Sequence, residues 1–253
     1  MLTATVKSTG WSDLGFALGG AATATTGLVL LFDRPVVLSL LLLVLALAML
    51  LRWHRRSDIA GLFVGASIGN LTELLSDAAG IWEHPARPVL GVAPLYIFAC
   101  YPLLGLALPR MTAGILKRER PQSEGTTLRQ ASLIWALHLL LSCWFGLTNE
   151  SEMIVCVACL TVTLARFHSA HDLTTAVAGG LLGMVWELPC TQFGVWRFPH
   201  PQILGLVPLW LPLAYSVFFV NLCRIIAAMG QPAAVGNLSL IWPQPAGSVA
   251  ARN

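Results

Sequence analysis

Long apolar stretches alternate with short polar breaks along most of the chain. The stretches are close to the roughly 20 residues that a helix needs to cross the hydrocarbon layer of a membrane. Charged residues, prolines and glycines mark the breaks between them. This pattern predicts eight membrane-spanning helices, over residues 15–32, 35–51, 59–82, 92–111, 131–147, 153–167, 173–196 and 203–229.

The composition also indicates a membrane protein. Only 11% of the 253 residues are charged and 56% are hydrophobic, whereas a soluble domain has about 25% charged residues. The net charge of +3 is small, and no basic stretch interleaved with aromatic residues predicts nucleic-acid binding. We therefore expect membrane lipids and no nucleic acid as partners, and a multi-pass protein of the cell membrane, the cytoplasmic membrane of a bacterium.

The lysines and arginines divide unequally between the two sides that eight helices define. Of the 15 positive residues, only Arg34, Arg87 and Arg197 fall on the side opposite to the N-terminus. Positive residues are enriched in cytoplasmic loops. The division therefore predicts that both termini are cytoplasmic.

The two halves of the chain match without a gap when each residue is compared with the residue 114 positions later. The matched pairs include Asp58 and Asp172, Gly65 and Gly179, Gly69 and Gly183, Glu73 and Glu187, Trp82 and Trp196, Tyr101 and Tyr215, and Arg110 and Arg224. Four helices in each half is an even number, so the halves cross the membrane in the same direction. We predict an all-α integral membrane protein built from two parallel four-helix repeats, related by an axis along the membrane normal.

This duplication divides the chain into four parts. The first repeat covers residues 1–111, and the second covers residues 131–229. Residues 112–130 are polar and basic and are predicted to form a cytoplasmic linker. Residues 230–253 are rich in proline and glycine, which predicts a disordered cytoplasmic tail.

Acidic residues interrupt the third and seventh predicted helices. Glu73 and Asp77 are one helical turn apart, on the face that carries Gly65 and Gly69. Glycines at this spacing let helices approach closely. A charge inside a membrane is costly and usually marks a functional site, although a packing hydrogen bond or ion pair is the alternative. The seventh helix repeats the row and carries Glu187.

We predict Glu73, Asp77 and Glu187 as catalytic residues, with Glu73 as the acid. A carboxyl pair such as Glu73 and Asp77 tends to share a proton, which would keep one of the two protonated. The residues predicted to contact the substrate are Asn70, Trp82, Tyr101, His138, Trp186, Thr191, Trp196 and Tyr215. Trp82 and Trp196 suit an interfacial aromatic belt equally well, and His138 suits a packing role as well as a proton-handling one.

Two further features predict local structure rather than chemistry. Asp58 and Asp172 each begin a helix and are predicted to be N-caps. Cys156 and Cys159 have the spacing of a redox or metal pair, but their apolar surroundings favour simple burial. Because no His, Cys and carboxylate residues show metal-ligand spacing and no nucleotide-binding or hydrolase motif occurs, we expect no metal and no cofactor.

Each half contains the pattern Glu-x6-Gly-x-Trp, a short loop with proline, and the run LGVAPLY or LGLVPLW before a tyrosine. This pattern resembles the integral-membrane carotenoid biosynthesis proteins that include the bacterioruberin-type carotenoid hydratases. The segments GNLTE and GMVWEL also resemble, more loosely, the membrane-bound terpene cyclases of meroterpenoid pathways.

Both resemblances imply one kind of chemistry. A carboxylic acid protonates an isoprenoid double bond, and water or another alkene captures the cation. The function expected from them is hydration or cyclisation of a lipid-soluble isoprenoid, in which aromatic rings stabilise the cation. A small proton-coupled transporter or lipid flippase is the alternative, because parallel repeats and paired glutamates also suit alternating access. A scaffold without chemistry is a third possibility.

The charge division leads to a test of the topology. Because the loops that contain Ala86 and His200 lie on the side with few positive residues, reporter fusions at these two positions should report an outside location. A cytoplasmic signal at either position would contradict the predicted orientation.

Overall fold

The structure is a computed structural model that describes residues 11–85, 93–117, 125–145 and 148–230. These residues contain eight helices. They are α1 (Trp11–Leu31), α2 (Pro35–Trp53), α3 (Arg56–Ala78), α4 (Ile97–Leu116), α5 (Gly125–Phe145), α6 (Asn149–Arg166), α7 (Ala170–Gln192) and α8 (Leu211–Met229). Helix α3 contains a π-helical turn at Gly65–Gly69. Turns of this kind often occur in helices that carry functional residues.

Seven of these eight helices are long and apolar enough to cross a membrane. The exception is α6, whose 18 residues include Glu150, Glu152 and Arg166. The prediction of a helical chain with several membrane-spanning helices is therefore confirmed. The chain is a multi-pass membrane protein by the length and composition of its helices.

Several helix ends differ from the sequence prediction. Helix α4 runs five residues beyond position 111, and α5 begins at Gly125, so both extend into the predicted linker. The last helix begins at Leu211 instead of residue 203, because residues 203–207 form a tight turn with positive φ at Leu204 and Gly205. Hydrophobicity alone does not separate an apolar turn from a helix. Residues 118–124 of the predicted linker and 231–253 of the predicted tail lie outside the described residues.

Helices α4 and α8 form the centre of the bundle. Buried residues make up 72% and 61% of their apolar stretches, more than in any other helix long and apolar enough to cross a membrane. Helix α4 packs against α1, α2 and α3, and α8 packs against α5, α6 and α7. The contacts that join these two groups include α3 packed on α8 and α4 packed on α7.

Large apolar side chains cover the outer surface of the peripheral helices. Leu30, Leu51 and Ile154 are each 69% exposed, and Val177 and Val185 are similarly exposed. Large continuous apolar surfaces are unusual on soluble monomers and indicate contact with a membrane or a partner. On helices of this length the acyl chains of the membrane are the natural neighbours.

Glycines allow the central helices to approach their neighbours. A Cβ atom on Gly105 would lie 2.0 Å from the carbonyl oxygen of Gly61, so α3 and α4 touch through their backbones. A Cβ atom on Gly69 would lie 2.1 Å from the Tyr101 ring. The glycine row of α3 therefore faces α4, and the close approach fixes where the Tyr101 ring can lie.

A buried ion pair joins the start of α3 to α4. The Arg110 guanidinium lies 2.6 Å from Oδ2 of Asp58, and both side chains are about 95% buried. The N-cap prediction for Asp58 is wrong by one turn, because the N-cap is Arg55 and Asp58 accepts the Arg55 backbone N–H at 2.8 Å. Asp172 is paired with Arg224 in the same way at the start of α7. An aspartate stabilises a helix N-terminus both at the N-cap and three residues later in the first turn.

The contact between α3 and α4 leads to a prediction. Gly105→Ala should lower the unfolding temperature in detergent, because the new methyl group meets backbone atoms of Gly61 and Gly65 that cannot rotate away. Overpacking of this kind typically costs about 1–3 kcal/mol. Gly19→Ala in α1 is the matched control, since its methyl group meets nothing within 4 Å. Equal unfolding temperatures for the two variants would contradict the backbone contact.

Candidate functional site

Glu73 is buried in the bundle and both of its carboxylate oxygens accept hydrogen bonds. The Trp82 indole N–H donates to Oε1 at 2.8 Å, and the Tyr101 hydroxyl donates to Oε2 at 2.6 Å. Helix α3 supplies the glutamate, the turn after α3 supplies the tryptophan, and α4 supplies the tyrosine. We call these three residues the first glutamate unit.

The same arrangement occurs around Glu187. The Trp196 indole N–H and the Tyr215 hydroxyl each donate to one oxygen of the Glu187 carboxylate. Helix α7 supplies the glutamate, the turn after it supplies Trp196, and α8 supplies Tyr215. We call these residues the second glutamate unit. Each member lies 114 positions after its counterpart in the first unit.

Turns with positive φ bring both tryptophans back to their glutamates. Gly80 and Gly194 each have a φ of 74°, which L-residues with a side chain rarely adopt. The chain reverses at these glycines, and the indole reaches a glutamate nine residues earlier. Both glycines lie two residues beyond the end of a helix, since α3 ends at Ala78 and α7 ends at Gln192.

Both glutamates line one cavity of about 40 Å³, here called the glutamate cavity. Its other walls come from Trp186 on α7 and from the residues of the two glutamate units, together with Phe198 and several residues of α4. A volume of this size holds a few water molecules at most. The structure thus brings Glu73 and Glu187, which are far apart in sequence, to the same place.

A second cavity, of about 70 Å³, lies beside the first and shares Trp82, Tyr101 and Tyr215 as walls. We call it the lateral cavity. His138 lines it, as do residues of α3, α5 and α8. Its surface is mostly apolar and aromatic, which suits a hydrocarbon group. The two tyrosine side chains therefore lie between the glutamates and an apolar compartment.

His84, which the sequence analysis did not select, lies between Glu73 and Asp77. Its Nε2 is 3.1 Å from Oε1 of Glu73, and its Nδ1 is 3.1 Å from Oδ1 of Asp77. The imidazole therefore bridges the two carboxylates that were expected to share a proton. Its side chain is only 2% exposed. The residue 114 positions later is Phe198, so the bridge has no counterpart beside Glu187.

The carboxylates around His84 favour its charged form. Burial lowers the pKa of the imidazole, but the hydrogen bonds and charges of Glu73 and Asp77 raise it by more. The net result is a His84 pKa above its ordinary value of 6.5. An imidazole beside Glu73 is a difference between the two glutamate units that no sequence motif indicates.

Two of the residues predicted to contact a substrate lie outside both cavities. The Asn70 amide donates to the Phe98 carbonyl oxygen at 3.4 Å, and the Thr191 hydroxyl donates to the Glu187 backbone carbonyl at 2.8 Å. Threonine often bonds its own helix in this way. The residues that line a cavity are Trp82, Tyr101, His138, Trp186, Trp196 and Tyr215.

A buried polar group lies on the far wall of the lateral cavity. His138 and Ser142 come from α5, and Glu152 and Cys156 come from α6. The Ser142 hydroxyl donates to Oε1 of Glu152 at 2.7 Å. Two pairs of polar residues four positions apart, on neighbouring apolar helices, are the sequence signal for this group. Metal-ligand spacing within one segment could not have found it.

Comparisons of the chain with protein-family models, with curated proteins and with solved structures found no match.

The His84 bridge predicts how stability depends on pH. Because the pKa of His84 is raised in the folded state, its pairing contributes fully below about pH 6.5 and is lost as pH rises through the higher folded value. The unfolding temperature in detergent should therefore fall across this range. The variant His84→Phe has the residue found at position 198. In this variant the decrease in unfolding temperature that is due to His84 should disappear.

His168→Phe is the control for this experiment, because His168 is exposed. Its pH profile should follow that of the wild type. If His84→Phe also followed the wild-type profile, the imidazole would not be the group responsible.

Proposed function

We propose that this chain is a membrane enzyme that protonates an alkene of a terpenoid or carotenoid-like lipid, leading to hydration or cyclisation. The observation that carries the proposal is the pair of buried carboxyl groups, each held by an indole and a phenol, beside an apolar aromatic cavity. Protonation of an alkene needs an acid in a dry site, and the carbocation needs aromatic or anionic neighbours.

The site lies, in this proposal, between two parallel four-helix repeats. The matching glutamate units and the matching ion pairs of Asp58 and Asp172 support the duplication. The backbones of Glu83 and Arg197 exchange hydrogen bonds of 2.8 and 2.9 Å, although these residues are themselves 114 positions apart. A twofold axis exchanges such residues, so an antiparallel bridge between them is expected on the axis. The reciprocal packing of α3 on α8 and α4 on α7 supports the same axis.

The proposed orientation has both termini in the cytoplasm of a bacterial cell. The division of lysine and arginine residues supports it. With that orientation, Glu73 and Glu187 lie in the outer half of the membrane, near the outward ends of α3 and α7. The loop residue His84 then lies on the outward side of α3, and a lipid-soluble substrate enters from the bilayer.

The two glutamates have different roles in this proposal. The His84 imidazole lies 3.1 Å from Oε1 of Glu73 and can carry a positive charge beside that carboxyl group. Glu187 receives hydrogen bonds from neutral donors, and none of the ion pairs among the described residues includes it. We therefore assign Glu187 as the proton donor, in place of the Glu73 expected from the sequence, and Glu73 as the carboxylate that faces the cation. Asp77 positions the His84 imidazole by contact with the Nδ1 atom of that ring.

The reaction balances with these groups. Glu187 gives its proton to one alkene carbon, and the π electrons form the new C–H bond. The cation at the other carbon is captured by water, whose extra proton passes to Glu73. For cyclisation, a second alkene captures the cation and a carbon-bound proton leaves to Glu73. The proton that Glu73 gains then leaves to solvent water, and solvent water returns one proton to Glu187, so both carboxyl groups are restored and no net charge accumulates.

Only the reacting isoprene unit has to reach the carboxyl groups. The cavities are smaller than the roughly 300–1,000 Å³ of sites that enclose whole ligands. The hydrocarbon unit fits the aromatic walls of the lateral cavity, with Trp82 and the two tyrosines against the reacting carbons. The rest of the lipid chain stays in the bilayer. His138 lines the lateral cavity but not the glutamate cavity, and it has no assigned role in proton transfer.

Deletion of the gene in its own host tests this function. Complementation with the wild type in D₂O should restore an isoprenoid lipid that carries one added carbon-bound deuterium. Glu187→Gln should lower product formation by about 10²–10⁴-fold, since the amide keeps the shape and cannot donate a proton. Glu150→Gln, at an exposed glutamate of α6, is the matched control and should restore the product.

Three results would contradict the proposal. An unchanged isoprenoid profile after deletion would remove the enzyme function altogether. Normal product from Glu187→Gln, at a protein level equal to the wild type, would remove the assigned acid. Proton-driven movement of an unchanged lipid across vesicles would instead favour the transporter.

A further inference from the structure

The polar group of α5 and α6 has the residue types and the geometry of a metal site. Its potential ligands are His138, Glu152 and Cys156, which are 8%, 2% and 0% exposed. One donor atom of each residue lies within 4.8 Å of the other two. A set of nitrogen, oxygen and sulfur donors is typical of zinc. It does not suit magnesium or calcium, which bind oxygen ligands.

The distances between the donor atoms fit a tetrahedral ion. Sγ of Cys156 lies 3.7 Å from Nε2 of His138 and 3.6 Å from Oε1 of Glu152. Zinc binds sulfur at about 2.3 Å and nitrogen or oxygen at about 2.0–2.2 Å. At a tetrahedral angle these bond lengths separate the sulfur from either other donor by about 3.6 Å. The donor atoms of the third pair, His138 and Glu152, lie within 4.8 Å of each other.

A second observation points independently to a missing partner. Oε2 of Glu152 is buried and has no hydrogen-bond partner among the described residues. No arginine, lysine or histidine forms an ion pair with this carboxylate in the described part of the chain. An unpaired buried carboxylate is strongly unfavourable, whereas a bound divalent cation would satisfy it.

Packing alone does not require polar residues at this place. The residues 114 positions before His138, Ser142, Glu152 and Cys156 are Ala24, Leu28, Leu38 and Leu42. All four of these earlier residues are at most 1% exposed and belong to the apolar core. The hairpin of α1 and α2 therefore has apolar side chains at the positions where the hairpin of α5 and α6 has potential metal ligands.

We propose that His138, Glu152 and Cys156 bind one zinc-class divalent cation. Ser142 is a positioning residue, because its hydroxyl holds Oε1 of Glu152 at 2.7 Å. His138, Ser142 and Glu152 also line the lateral cavity, so the fourth coordination position faces that space. Three protein ligands and one open position are the arrangement of zinc sites that bind water or substrate. This site does not depend on the function proposed for the glutamate units.

Cobalt binding to the full-length protein in detergent tests the site. After treatment with a chelator, titration with Co²⁺ should give one bound ion per chain and a thiolate-to-cobalt absorption band. Cys156→Ser should lose the band. Cys159→Ser, at a buried cysteine one turn further along the same helix, should keep it. Ser142→Ala should weaken Co²⁺ affinity by about 10–100-fold, as expected for loss of a residue that orients a ligand.

Metal analysis of the untreated protein gives the second measurement. The wild type should contain close to one zinc per chain, and Glu152→Gln should contain far less at an unchanged elution volume in size exclusion. The proposal is overturned if wild-type protein binds no Co²⁺ with a thiolate band. It is also overturned if Cys156→Ser and Glu152→Gln bind metal as the wild type does. Either outcome would leave only a hydrogen-bonded packing cluster.

Discussion

Two carboxylates buried between apolar helices are the constraint on which the rest of this structure depends. A buried carboxylate is stable only when its oxygens are hydrogen-bonded. Each glutamate obtains an indole N–H and a phenol O–H, and this need accounts for the local backbone. Gly69 leaves room for the Tyr101 ring, and Gly80 reverses the chain so that Trp82 returns to Glu73. Gly183, Gly194 and Trp196 have the same relations to Glu187 and Tyr215. The tyrosines of α4 and α8 are therefore held in corresponding places.

The two halves differ at the residues beside the glutamates, where the proposed chemistry requires a difference. His84 gives Glu73 a partner that can carry a positive charge, while Phe198 occupies the corresponding place near Glu187. The potential metal ligands of α5 and α6 are a second difference, since the matching positions of α1 and α2 are apolar. The lateral cavity lies between these two polar sites.

Hydrophobicity predicted the helical, membrane-spanning character of the chain, because it depends on residues near each other in sequence. The third and seventh helices, which carry the glutamates, follow directly from it. His84 was missed because a short loop carries it and the other half has phenylalanine there. Glu152 was missed because Ser142 and His138, which lie beside it, belong to a different helix and are 10 and 14 positions earlier in the sequence. The helix ends at Gly125 and Leu211 depend on turns and packing that an apolar run does not reveal.

Infrared spectroscopy of the carboxyl groups at neutral pH tests the central claim most directly, because it reports which glutamate holds the proton. The wild type in D₂O should have a band from a protonated carboxyl group. We predict that Glu187→Gln removes this band and that Glu73→Gln leaves it in place. A band that remains in Glu187→Gln and disappears in Glu73→Gln would contradict the assignment of the proton donor.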